Sequence, residues 1–311
     1  MPHGCSLSPG RPFAAALRVT YFVARKTVLE IDCAHGVAMD KREALKEVIG
    51  RYRSAVIAFS GGVDSTFLAR AARDVLGGRV KLVIATSSTY PFAELEEARR
   101  LASEHLRMDH EVIVSEEVDI PGFSDNPPDR CYYCKSELFD HVSEIARREG
   151  YEAVFDGSNA DDLKDFRPGR KALKEKGVIS PLVEAGLGKE DIRRFSRDYG
   201  LPTADKPSFA CLASRFPYGE RITAPKLNRV DKAEAALREL GLVQFRVRSH
   251  GDLARVEVAG REMDRAWNMR EHIDGACRDA GFVFVALDLK GYRTGAMNEA
   301  LDRARGGDAD D

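Results

Sequence analysis

One segment constrains the fold more than any other. An apolar run at 54–59 (Ser-Ala-Val-Ile-Ala-Phe) stops at Ser60-Gly61-Gly62 and gives way to a helix expected over 64–76. A short strand joined to a helix by a tight glycine turn is the first half of a βαβ unit, which needs a parallel neighbour. The sequence supplies neighbours in order: apolar strands at 79–86, 110–115 and 152–156, alternating with helices at 92–106 and 135–148 and preceded by an amphipathic helix at 40–53. Near-continuous apolar strands separated by helices indicate a sheet buried on both faces. The expected class is therefore α/β, a doubly wound parallel sheet.

The remainder divides by composition. Residues 156–221 are rich in Gly, Pro, Asp and Arg, with one helix expected at 189–199; irregular stretches this long inside a domain are usually functional. From 224 onward a helix (226–240), two strands (245–249, 254–258), a helix (262–280) and a strand (283–289) make a small α+β module, with Trp267 expected in its core. Residues 1–39 lack a clear period and are expected to be a disordered leader ahead of a native start at Met39. The expected division is 40–205 for the parallel-sheet domain, 206–223 for a cysteine-bearing loop, 224–300 for the small domain and 301–311 for an acidic tail.

A formal charge of -2 over 311 residues gives no bulk reason to expect nucleic acid. No run approaches the ~18–20 apolar residues of a membrane span. The apolar stretch at 13–23 is interrupted by Arg18 and lacks a clean cleavage pattern, so no export signal is inferred and a cytoplasmic setting is expected. Six cysteines, at 5, 33, 131, 134, 211 and 277, are too few for a disulfide scaffold and favour metal or catalytic thiols. Cys277 reads as a small buried apolar residue.

Ser60-Gly61-Gly62-Val63-Asp64-Ser65 has the physics of an anion site. Glycines let the backbone approach a ligand, and the following helix points its N–H groups and positive dipole end at it. The Gly-Lys-Ser/Thr ending of a Walker A loop is missing. Ser60 and Ser65 are candidate donors to phosphate, and Asp64 a candidate Mg²⁺ ligand. Thr86 and Ser87 end the next strand, at the carboxyl edge where such sheets bind ligands. Asp156, Asn159, Asp161 and Asp162 follow the fourth strand; Asp162 is taken as the second Mg²⁺ ligand, against the plain alternative of an Asx-rich turn. Arg167, Arg170 and Lys171 are candidates to neutralise pyrophosphate, and Arg215 to clamp a phosphate. Arg246 and Arg248 share one face of a strand, which suits a nucleotide phosphate or merely a solvated face.

The thiols add a second chemistry. Cys131-Tyr-Tyr-Cys134 has the spacing of a metal or redox pair, ambiguous alone. Cys211 lies in Lys206-Pro-Ser-Phe-Ala-Cys211-Leu-Ala-Ser-Arg215, where Lys206 and Arg215 are expected to lower its pKa. Three thiolates can hold a [4Fe–4S] cluster with one iron left open, whereas a closed zinc site usually wants four ligands.

The turn at 60–65 resembles the signature of the PP-loop ATP pyrophosphatases, which implies cleavage of ATP between the α- and β-phosphates and transfer of AMP to a substrate oxygen. Nitrogen-using members carry or recruit a glutaminase, for which this chain has no room. With the segments CYYCK, DGSNADDLKDFRPGRKA (156–172), SPLVEAGLGKEDIR (180–193), KPSFACLASRFPYGERIT (206–223) and YRTGAMN (292–298), the chain resembles the LarE family from about residue 40 to 298. That resemblance implies an ATP- and Mg²⁺-dependent sulfur transferase that adenylates pyridinium-3,5-biscarboxylic acid mononucleotide and makes its thiocarboxylate for a nickel-pincer cofactor. It also implies catalysis at Cys211, a homo-oligomer, a sulfide source, and other nickel-pincer biosynthesis proteins as partners; Arg215 is expected to act in catalysis beside Cys211, and Ser214, Arg246 and Arg248 to bind the substrate phosphate. Family members either give up the sulfur of the loop cysteine or carry sulfide on a three-cysteine [4Fe–4S] cluster. Cys131 and Cys134 favour the cluster, with Cys211 as its own sulfur donor left open. A tRNA thiolase, an amide-forming synthetase and a non-catalytic nucleotide-binding protein remain as alternatives.

Overall fold

The computed structural model describes residues 40–164, 168–207 and 210–293. The expected leader, the acidic tail, Arg167 and most of the 292–298 segment lie outside them. The chain opens with α1 (Lys41–Gly50), whose N-cap Asp40 accepts from the Arg42 backbone N–H. There follow β1 (Ala55–Ala58), α2 (Val63–Leu76), β2 (Val80–Thr86), α3 (Phe92–Arg100), β3 (His110–Val114), α4 (Arg130–Glu149) and β4 (Ala153–Phe155). The four strands are all parallel, in the order β3-β2-β1-β4. This is the doubly wound arrangement expected.

Alternation along β1 shows why its run is apolar throughout. Ala55 and Ile57 enter one core with α1, α2 and α3, whereas Val56 enters a second core with Phe139, Val142 and Ile145 of α4. Successive side chains of a strand point to opposite faces, and here both faces are covered. The first core extends to Ile192 and Phe195 of α7 (Lys189–Asp198), which packs on α2.

Three elements differ from expectation. The helix expected at 135–148 begins at Arg130, so Cys131 and Cys134 sit on its first turns rather than in a preceding loop. The helix at 92–106 ends in a π-turn, Leu101–His105. The region 156–221 also holds α5 (Gly169–Glu175), α6 (Pro181–Glu184) and 3₁₀ turns at Ala160–Lys164 and Leu212–Arg215.

A separate three-stranded sheet follows α8 (Ala224–Glu239). Strands β5 (Phe245–His250) and β6 (Leu253–Val258) pair antiparallel, and β7 (Phe284–Leu287) joins β6 in parallel. The helix expected over 262–280 is divided at Met269 into α9 (Met263–Asn268) and α10 (Arg270–Asp279). Trp267, expected in the core, is 58% exposed, with the Arg270 guanidinium over its ring. Cys277 is fully buried, as expected. Among the described residues no helix is long and apolar enough to cross a membrane.

The two-faced burial of β1 gives a measurable contrast. Ile57→Ala is expected to lower unfolding free energy by about 2–5 kcal/mol. Val112→Ala, on the half-exposed edge strand β3, is expected to stay within about 1 kcal/mol; urea unfolding of both variants measures the difference.

Candidate functional site

The glycine turn is built to receive an anion. The N-cap of α2 is Gly62, with no side chain capping the first-turn N–H groups. Ser60 Oγ accepts from the Gly62 N–H (3.4 Å) and lies 3.2 Å from Ser65 Oγ, which donates to the Gly62 carbonyl. Gly61 has a φ of +64°, and a Cβ there would lie 2.9 Å from Ala98 Cβ on α3. Only glycine fits. From outside, the Tyr90 hydroxyl donates to the Ser60 carbonyl (2.8 Å) and Lys206 Nζ to the Gly61 carbonyl (3.4 Å). Thr86 and Ser87 leave β2 on the same edge of the sheet, where Ser87 and Thr89 hydroxyls pair at 3.1 Å.

Asp64, in the first turn of α2, is disposed as a cation ligand. Its Oδ2 accepts from Lys189 Nζ, but the buried Oδ1 has no hydrogen-bond partner. Burial pushes its pKa up, Lys189 opposes that, and the nearby Asp162 adds to it. Two neighbouring carboxylates with an orphaned oxygen fit a hard divalent ion such as Mg²⁺. The rest of the acidic segment behaves as a turn: Asp156 accepts from the Ser158 N–H and from the Ser158 and Ser180 hydroxyls. Asn159 accepts from the Asp161 N–H, and Asp161 from the Lys189 N–H. Lys171 faces Glu175 (3.8 Å) and the Tyr132 ring, and Arg170 is exposed on α5.

The three thiols converge. Cys131 and Cys134, three residues apart, share one side of the first turns of α4. The Cys211 loop is stitched beside them by the fully buried Asn126, which accepts from Arg130 Nη1 (2.8 Å) and donates to the Pro217 carbonyl (2.6 Å). Backbone bonds add to this, from Leu212 N–H to the Thr89 carbonyl and from Ile222 N–H to the Ser124 carbonyl. Buried Phe123, Leu212 and Phe216 form the apolar floor on which Cys134 and Cys211 rest.

Electrostatics bind the group together. Burial, then Glu117, then Cys211 hold the Cys134 thiol well above its ordinary value, and its S–H donates to Glu117 Oε1 at 3.7 Å. Burial and then Cys131 raise the Cys211 thiol, while Arg130 and Arg215 pull it down without prevailing. The lowering expected of Lys206 is not found: its ammonium pairs with Glu94 and Glu97, each at 2.8 Å. Among the described residues no three His, Cys, Asp or Glu side chains are close enough to share a single ion.

The arginines divide by what they already hold. Arg215, only 1% exposed, makes a two-pronged pair with Glu234 (2.9 Å each) and donates to the carbonyls of Ala210 and Cys211. Its fork anchors the cysteine loop instead of facing a ligand, contrary to the clamp expected from sequence. Arg248 likewise pairs with the fully buried Glu257 and donates to the Ser214 carbonyl. Ser214 Oγ donates to the Cys211 carbonyl. Arg246 lies over the Tyr292 ring, and burial followed by the charge of Arg215 pushes its pKa down. An anion beside it would relieve that repulsion.

Glu117, Arg130, Lys189 and Glu234 have no role in the sequence expectations, and Asn126 is expected there only as part of a turn. Lys189 lies within a segment singled out there, but its pairing with Asp64 spans 125 residues.

Comparison with known proteins follows the same outline. The asparagine synthase family model matches residues 43–177, which cover the glycine turn and all four parallel strands. An uncharacterized protein of Synechocystis sp. is 43% identical over 266 residues, 85% of this chain and 98% of its own length. The pyridinium-3,5-bisthiocarboxylic acid mononucleotide synthase of Lactiplantibacillus plantarum is 35% identical over 266 residues, 85% of this chain and 96% of its own length. An uncharacterized protein of Methanocaldococcus jannaschii is 27% identical over 242 residues, 78% of this chain and 92% of its own length.

Two outcomes are expected from this geometry. Arg215→Ala leaves Glu234 buried and unpaired, and should cost about 3–5 kcal/mol in urea unfolding; a residue that served only to bind a ligand would cost little. Alkylation of Cys211 by iodoacetamide, followed by mass spectrometry, should be slower at neutral pH than that of an exposed thiol and should gain rate as pH rises, because the thiolate is the nucleophile and burial raises its pKa.

Proposed function

The chain belongs to the LarE family of PP-loop sulfur transferases, and from that premise we propose that it adenylates pyridinium-3,5-biscarboxylic acid mononucleotide with ATP and converts the carboxylate to a thiocarboxylate. In the first step a substrate carboxylate oxygen attacks the α-phosphorus, the bond to the β-phosphate breaks, and pyrophosphate leaves. In the second, sulfur attacks the activated carbonyl and AMP leaves with the displaced oxygen.

One observation carries this reading: a single short loop touches both chemistries. Tyr90 donates to the glycine turn, while the Thr89 carbonyl accepts from Leu212, next to Cys211. The adenylated carbonyl and the sulfur donor would thus meet without release of a labile intermediate.

The uncapped end of α2, with Gly61, Gly62, Ser60 and Ser65, binds pyrophosphate; Thr86 and Ser87 line the nucleotide side. Asp64 and Asp162 would hold Mg²⁺, which supplies positive charge to the phosphates. Arg246, with Ser214 and Arg248 behind it, receives the substrate phosphate. Arg215 holds the cysteine loop in register. Cys131, Cys134 and Cys211 would hold a [4Fe–4S] cluster, which supplies a position for exogenous sulfide. The setting is cytoplasmic, the assembly is a homo-oligomer, and residues 206–223 act as the catalytic loop between a nucleotide domain at 40–205 and a substrate domain at 224–300.

Asp64→Asn should lower pyrophosphate release by at least about a hundredfold with the fold intact by circular dichroism. Protein purified without oxygen should contain roughly four irons per chain and keep Cys211 unchanged in mass after turnover. An iron-free protein whose Cys211 loses the mass of hydrogen sulfide would make Cys211 the sulfur donor instead.

A further inference from the structure

The loop that carries Cys211 is tied to the glycine turn at its first residue. The Lys206 side chain is 13% exposed, and an ammonium has three donors. All three are committed, to Glu94 Oε2 and Glu97 Oε2 at 2.8 Å each and to the Gly61 carbonyl at 3.4 Å. Behind it, Arg193 of α7 donates to the carbonyls of Ala204 (2.6 Å) and Lys206 (2.8 Å), and the Lys206 N–H donates to the Thr203 carbonyl. The lysine has no donor left for a thiolate or a phosphate. What it fixes is a distance.

Helix α3 is the other half of the joint. Glu94, Glu97 and Ala98 fall at i, i+3 and i+4 and so share one face. The two carboxylates hold Lys206, and Ala98 packs so closely on Gly61 that a Cβ there would lie 2.9 Å away. The start of the same helix is held from the small domain, where Asp231 of α8 accepts from the Phe92 N–H. On α8, Glu234 holds Arg215, which in turn holds the carbonyls of Ala210 and Cys211. The cysteine loop is therefore referred to α3 twice, directly at Lys206 and by way of α8 at Arg215. Of these two ties, Lys206 is the one that reaches the glycine turn itself.

We propose that Lys206 is a positioning residue that sets the cysteine loop against the glycine turn, so that the adenylated carboxylate passes to sulfur instead of to water. The proposal rests on the adenylation reading and needs no cluster. Two reactions compete for the acyl-adenylate. Hydrosulfide adds at the carbonyl carbon, the bond from that carbon to the AMP oxygen breaks, and thiocarboxylate, AMP and a proton result. Water adding at the same carbon returns the carboxylate and AMP, with ATP spent. Neither route transfers electrons, so placement of the sulfur decides which one wins.

The test uses the full chain as wild type, as Lys206→Met, and as Lys206→Met combined with Glu94→Gln and Glu97→Gln. The triple variant removes the charges that the single variant leaves unpaired, and circular dichroism checks each fold. Each protein, in excess over pyridinium-3,5-biscarboxylic acid mononucleotide, is mixed without oxygen with ATP, Mg²⁺ and sodium hydrosulfide. Pyrophosphate, AMP and thiocarboxylate are then counted by chromatography and mass spectrometry. The ratio of AMP to thiocarboxylate does not depend on how much protein is active, so partial loss of folded protein does not move it. A misplacement of about 1 Å slows a transfer about a hundredfold; where sulfur outruns water about twentyfold in wild type, the ratio should rise from about one to about six in both variants. An unchanged ratio in Lys206→Met, whatever the rates, reduces Lys206 to a structural ion pair and overturns the proposal. So does a ratio that rises in the single variant and returns to the wild-type value in the triple one, since unpaired carboxylates then caused it. Wild type that releases no pyrophosphate with the mononucleotide overturns the adenylation reading and this proposal together.

Discussion

Parallel alignment of β1 to β4 is the constraint on which the site depends. Because the four strands run the same way, their carboxyl ends open on one edge, and the loops that leave that edge carry the candidate site residues. The loop after β1 is the glycine turn, and the loop after β2 carries Ser87, Thr89 and Tyr90. Glu117 follows β3, and Asp162 follows β4. An antiparallel strand would have sent one of these loops to the far side. The requirement that a parallel sheet be covered on both faces then explains the apolar runs and the placement of α4. That helix covers the second face and brings Cys131 and Cys134 to the same edge.

The cysteine loop needs a different kind of support. It is irregular, and it is held by buried ions rather than by a ladder. Arg215–Glu234 and Arg248–Glu257 each fasten loop carbonyls to the small domain. Buried pairs of this kind add little net stability, because desolvation offsets the attraction, but breaking one strands a charge. Their value here is positional: Ala210, Cys211 and Ser214 are each gripped at the carbonyl oxygen. The arrangement commits two of the three clustered arginines to the loop and sets Arg246 beside their like charge. A phosphate placed there would relieve that repulsion.

Much of the fold was legible because its elements are governed by local pattern. Buried parallel strands are continuous apolar runs, and all seven strands lie within a residue or two of expectation. α4 starts five residues before the expected 135, at Arg130 after the N-cap Asp129, a residue type that favours helix starts. The break at Met269 has no glycine or proline to announce it. Trp267, expected in the core with the apolar stripe around it, is instead 58% exposed with the Arg270 guanidinium over its ring. In the site, the glycine turn and the three thiols were legible as residue types in sequence. What was not legible is pairing over distance. Arg215 looked like an available cation only because Glu234, within an otherwise ordinary helix, gave no sign of facing it, and Lys206 had its own unseen partners in Glu94 and Glu97.

Those pairings would also let the two proposed reactions run side by side without a large rearrangement. The glycine turn is gripped at two successive carbonyls, Ser60 by Tyr90 and Gly61 by Lys206. Lys206 begins the cysteine loop, and Tyr90 is next to Thr89, which bonds both Leu212 and Glu117. Under the proposed function, the β- and γ-phosphates of bound ATP would change the charge beside those two carbonyls until pyrophosphate leaves after adenylation. The same contacts run, within one or two residues, to Cys211 and to the carboxylate beside Cys134. An activated acyl group is vulnerable to water for as long as it waits, so a short mechanical path between the nucleotide and the sulfur is worth more than a strong one. The hydrogen bonds here are ordinary in length; what distinguishes them is that so few residues separate their two ends.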